Sequence, residues 1–134
     1  MEIMVRHDSG TRFRATCNGF TVTAGKGQEG DINQDGMYPG QLFIASLGMC
    51  IGAYVVSFCQ RHSIQHQGMV VELDYQMADS PSRVKAVQAA IKLPGNVPEK
   101  YWKAIVQVAD QCYVTQSIKQ GMEVKVHLSE TPHK

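Results

Sequence analysis

The sequence predicts an α+β domain with element order βββαββααβ, in which an antiparallel sheet packs on a long central helix. Three observations predict it. The chain opens with short alternating segments joined by turn residues, continues into a nearly uncharged apolar run from Pro39, and then alternates again before amphipathic helical sequence. With 134 residues, 43 % of them apolar and 19 % charged, the chain reads as one domain, 1–134, able to bury a single core.

The first elements are "EIMVRH", "RFRATC" and "FTVTAG", each alternating in strand fashion, with "DSG" and "CNG" between them. Asn18-Gly19 is a two-residue hairpin signal because both positions tolerate positive φ, so the three strands form a meander. "GKGQEGDINQDGMYPG" has no periodicity and is a loop of the kind that often contributes to a site. It lacks the strand-to-helix context and the Lys-Ser/Thr pair of a phosphate loop.

"PGQLFIASLGMCIGAYVVSF" and the following "CQRHSIQHQG" read as one long helix, closed at Gly68 and carrying histidines near its negative end. No charged residue lies between Leu42 and Cys59. Ser46, Gly48, Gly52 and Ser57 dilute the run, however, so it reads as a buried helix and no membrane partner is expected. Ser46 is placed to bond back onto its own helix.

"MVVELDYQM" and "RVKAVQAAIKL" alternate around "ADSPS" as adjacent strands. A helix then begins near Pro98, with Trp102, Ile105, Val106 and Ala109 on one stripe. Trp102 would anchor it on the first helix and needs a partner for its indole N–H. "YVTQSIKQG" adds further helical turns closed by Gly121, and "MEVKVHL" is the last alternating strand.

The net charge of +1, with scattered Lys and Arg, gives no nucleic-acid surface. "MEIMVRHDSG" mixes acid and base and lacks the order of a secretory signal, so a cytoplasmic chain is expected. Cys17, Cys50, Cys59 and Cys112 are widely spaced without a CxxC pair, which argues against a zinc ribbon or a disulfide scaffold. Thiol chemistry or packing remains.

Cys50 shares a helical face with Ser46, Leu47, Ala53 and Tyr54, and taken alone it reads as a packing residue. Cys59 falls on the opposite face. Cys112 lies at the start of a helix, beside free N–H groups that favour a reactive thiol, and the feature taken alone fits a buried turn residue better. Cys17 receives no role. Cys59, His62 and His66 have a metal-compatible spacing but no fourth ligand, so no metal is assigned.

"PGQLFIASLGMC" together with "ADQCYVTQSI" resembles the OsmC/Ohr family, the osmotically inducible and organic hydroperoxide resistance proteins, and the element order matches that family over nearly the whole chain. The resemblance implies the OsmC-like fold, an intertwined homodimer with sites at the subunit interface, and a thiol peroxidase without a cofactor. Cys50 would attack an organic hydroperoxide, Cys112 would close a disulfide on it, and a dithiol or dihydrolipoyl reductant would restore both. Phe43, Leu47 and Tyr54 would line the alkyl pocket.

The family sets an N-terminal arginine beside the first thiol, here Arg12 in preference to Arg14, and orients it with a glutamate ten residues before that thiol. Gly40 occupies the glutamate position, followed by Gln41, and Glu29 or Asp31 are candidate substitutes. The missing carboxylate leaves a second function open: a dimer that binds a small apolar or thiol-reactive ligand with little turnover.

Overall fold

The computed structural model describes residues 2–32 and 35–129. β1 (Met4–Ser9), β2 (Arg12–Cys17) and β3 (Phe20–Ala24) form the predicted antiparallel meander. Asn18 and Gly19 take φ of 51° and 82° in the two-residue turn that sets Cys17 opposite Phe20. The register aligns Val5, Ala15 and Val22 across the sheet, and the same face carries Phe13 and Phe20. Phe20, at 79 % exposed, and Val5, at 60 %, show that this apolar face is left uncovered by the described residues of one chain.

α1 (Pro39–Arg61) begins with Pro at its first position, and Gln41 Oε1 accepts the Tyr38 backbone N–H at 2.9 Å. Gln41 is therefore a helix cap. The helix stops earlier than the glycine at position 68 suggested. His62 is its C-terminal cap, and Ser63 enters the left-handed region at φ 54°, which cannot continue a right-handed helix. Gly68, at φ 87°, instead serves the turn into the next strand.

β4 (Val70–Ala78) and β5 (Arg83–Lys92) pair with each other and with no other described strand. The single sheet expected from the sequence is thus two sheets within one chain, and β4 and β5 are the strands that meet α1. Gly48 makes that contact close: a Cβ there would lie 2.5 Å from Leu73 Cδ1, while one at Gly52, a turn later, would touch Met69 and Val71. The glycines that dilute the apolar run are the seats for β4.

A turn at Glu99–Tyr101 leads into α2 (Trp102–Asp110), followed by α3 (Tyr113–Gln120). The core joins Leu47, Ile51, Val55, Phe58 and Cys59 of α1 to Ile105, Ala109 and Cys112. Burying each large aliphatic side chain contributes about 1.5–3 kcal/mol. The α2 stripe is only half buried, because Trp102 and Val106 stay exposed. Trp102 lies beside β5 rather than anchoring on α1, and its Nε1 donates to the Val97 carbonyl at 3.0 Å.

The last predicted strand departs most. Residues 122–128 join no ladder, and Val126 and Leu128 are 90 % and 95 % exposed. Their alternation meets no partner edge among the described residues, and an alternating segment forms a strand only where a second backbone supplies the hydrogen bonds.

Candidate active site

Cys112 forms the N-cap of α3. Its backbone is extended, its Sγ accepts the Thr115 backbone N–H at 3.4 Å, and the Thr115 hydroxyl lies 2.9 Å from the same sulfur. The thiol is fully buried, and the Cys112 carbonyl accepts the Gln116 N–H to start the helix. The helix-start position read from the sequence is confirmed. Thr115 was not foreseen, although its place three residues after the cap is readable in "CYVT".

Cys50 is half buried and packs against the apolar cluster that contains Cys112. Ser46, one turn away, donates to the Phe43 carbonyl at 2.7 Å and so bonds to its own helix. Cys59 is fully buried on the other side of α1, and burial pushes its thiol pKa up. All four cysteines are free thiols. Among the described residues no three His, Cys, Asp or Glu side chains gather to hold a metal. Cys59 turns into the core, while His62 stacks on Phe58 at 4.3 Å.

Arg12 is 1 % exposed, beneath the loop that follows β3. Its Nε donates to Asp8 Oδ2 at 2.8 Å and its Nη2 to Asp31 Oδ2 at 2.7 Å, while Asp35 lies 3.9 Å from Nη1. A Cβ at Gly27 would press on Arg12 Nη1, so a side chain there would have to displace the guanidinium. Hydrogen bonding to Asp8 raises the Arg12 pKa, burial lowers it, and the Asp31 hydrogen bond and charge raise it further. Asp31 is one of the two substitutes the sequence offered for the carboxylate missing at Gly40. Asp8 was not foreseen, because it reaches Arg12 through a register shift between His7 and Ser9. Arg14 is exposed, with a looser contact of 3.8 Å to Asp8.

The residues assigned to the alkyl pocket divide between two grooves. Phe43 and Leu47 face one of about 480 Å³ between α1, β5, α2 and α3. Tyr54 lines another, of about 490 Å³, between α1 and α2. The ion-pair partners of Arg12 come from β1 and the loop after β3, so within one chain the guanidinium is tied to the N-terminal sheet and not to α1 or α3.

A family model for OsmC-like proteins matches residues 29–127. The chain belongs to the OsmC-like family. The match spans both thiol motifs and all three helices. No curated protein matches. Among solved structures, an osmotic-stress-induced and detoxification-response protein of Psychrobacter arcticus, so described provisionally, is 21 % identical with a TM-score of 0.76, over 86 % of this chain and 85 % of that one. An OsmC-like protein of Mycoplasma pneumoniae is 14 % identical with a TM-score of 0.69, over 88 % and 86 %. A Legionella pneumophila structure described as an organic hydroperoxide resistance protein is 15 % identical with a TM-score of 0.59, over 89 % and 90 %. These likenesses establish the OsmC-like fold.

Proposed function

We propose that this OsmC-like chain is a cysteine-based reductase of organic hydroperoxides, working as a homodimer. The observation that carries the reading is the pairing of a capped thiol, Cys112, with Cys50 against one apolar cluster. In the first step the Cys50 thiolate attacks the terminal peroxide oxygen. The O–O bond breaks, the alkoxide takes a proton and leaves as the alcohol, and the sulfur becomes a sulfenic acid. Cys112 then condenses with it, releasing water and forming the disulfide. A dithiol, of the dihydrolipoyl type or otherwise, reduces that disulfide and is itself oxidised.

Two uncovered surfaces support the dimer. The apolar face of β1–β3 and the alternating residues 122–128 both lack a partner among the described residues, and a second copy would cover the first and supply a strand edge to the other. In that dimer Arg12, buried in one chain, would have to turn out from under its loop to reach a thiol of the other copy, where its charge would favour the thiolate. Asp31 and Asp8 would hold it in place of a glutamate at position 40.

The test is consumption of cumene hydroperoxide by the reduced protein with dihydrolipoamide as reductant. Turnover is expected in the unaltered protein and its loss in Cys50→Ser; thiols left intact under excess peroxide would remove the reading. A second reading draws support from the carboxylates that already occupy Arg12: a dimer that binds an apolar or thiol-reactive ligand with little turnover. It predicts ligand-dependent thermal stabilisation that survives Cys50→Ser.

A further inference from the structure

The two thiols of the proposed pair differ in access and in what touches the sulfur. Cys112 is fully buried, and one residue supplies both of its polar contacts: the Thr115 backbone N–H donates to Sγ at 3.4 Å and the Thr115 hydroxyl lies 2.9 Å from it. Beside a neutral thiol a hydroxyl can donate or accept, but beside a thiolate it can only donate. The cap is also braced. Gln116 Nε2 donates to the Asp110 carbonyl at 2.8 Å and Lys119, the one cation of α3, pairs with the Asp110 carboxylate, which ties α3 to the end of α2. Cys50 is half buried, and the Ser46 hydroxyl one turn away is spent on the Phe43 carbonyl.

We infer that Thr115 is a catalytic residue of the reductive half of the cycle: its hydroxyl and N–H receive Cys112 as the leaving thiolate, and this directs the incoming dithiol to the Cys50 sulfur. The inference rests on the Cys50–Cys112 pair of the proposed function. Attack on a disulfide is fastest at the sulfur that is reached most easily and whose partner leaves as the better stabilised anion. Both conditions select Cys50. One thiolate of the dithiol attacks Cys50 Sγ, the S–S bond breaks, and its electron pair leaves on Cys112 Sγ, which takes the two hydrogen bonds from Thr115. The second thiol of the dithiol then attacks the mixed disulfide and expels Cys50, so the reductant departs as a cyclic disulfide after giving two electrons and two protons. With all four cysteines free, the structure shows the geometry that this step restores.

The test begins from protein oxidised with diamide, which makes the disulfide without any peroxide. Limiting 2-mercaptoethanol, an acid quench, unfolding and alkylation with N-ethylmaleimide should leave the mercaptoethanol adduct mainly on Cys50 and the alkyl group on Cys112. Thr115→Val, which keeps the backbone N–H and removes the hydroxyl, should slow this reduction about fivefold, the effect of a hydrogen bond to a charge that is half developed in the transition state. Thr115→Ser should recover most of the rate. An adduct mainly on Cys112, a Thr115→Val rate equal to the original, a Thr115→Ser rate as slow as Thr115→Val, or no Cys50–Cys112 disulfide under diamide would each overturn the inference. If diamide forms the disulfide and cumene hydroperoxide does not, the peroxidase reading fails, while the adduct position and the variant rates still decide the role of Thr115.

Discussion

The Nη2 atom of Arg12 lies 2.7 Å from Asp31 Oδ2, joining β2 to the loop that leads into α1. Together with Asp8, this pair fixes the guanidinium without any group at position 40, where an added Cβ would meet nothing within 4 Å. Asp31→Asn should therefore lower peroxide turnover severalfold, because the charge-assisted hydrogen bond weakens and the guanidinium loses its orientation. Gly40→Glu should leave turnover within about twofold of the original, on the same ion-pair scale. Initial rates with cumene hydroperoxide check both. A large gain in Gly40→Glu would mean that Asp8 and Asp31 do not do this job.

Gly48 and Gly40 should respond oppositely to added side chains. At Gly48 the Leu73 side chain already occupies the space a Cβ needs, so Gly48→Val is expected to cost about 1–3 kcal/mol through overpacking. Gly40 lies in the first turn of α1 in open space, and Gly40→Ala should gain a few tenths to about 1 kcal/mol by reducing unfolded-chain entropy. Urea unfolding with both variants measures the difference.

Cys59 gives stability an alkaline limb. Its pKa is raised in the folded protein by burial, so above the ordinary thiol value of 9.0 the unfolded chain ionises first and binds fewer protons. The Cys59 contribution is fully present below about pH 9 and is lost as pH rises through the folded value. Unfolding free energies measured from pH 7 to 10.5 should fall less steeply in Cys59→Ala. An unchanged slope would show that this thiol is not protected.

The uncovered β1–β3 face predicts association. Light scattering should give twice the chain mass, and Val5→Asp with Val22→Asp, which places two charges on the shared apolar face, should shift the species toward monomer. A monomer in the unaltered protein would leave that face unexplained.

Most of the secondary structure is legible because it depends on local chemistry. Asn18-Gly19 specifies its turn by backbone freedom, Pro39 opens α1, and "DQCYVT" contains both a cap and the helix it starts. What the sequence conceals depends on partners far along the chain or outside it. Gly48 reads as a diluting residue until Leu73 is placed against it. Asp8 gives no sign that a shifted register will aim it at Arg12, and the alternation of residues 122–128 specifies a strand without specifying whose edge it joins. The site is legible in the same uneven way: Cys112 stands at the helix start the sequence suggests, Asp31 is one of two loop carboxylates between which no spacing decides, and Phe43 and Tyr54 face different grooves.

The most direct measurement is peptide mapping by mass spectrometry after the reduced protein meets one equivalent of cumene hydroperoxide. The expected product is a disulfide joining Cys50 to Cys112 within one chain, with Cys17 and Cys59 still alkylatable after unfolding. Recovery of Cys50 and Cys112 as free thiols, or a disulfide that joins either one to Cys17 or Cys59, would contradict the proposed redox pair.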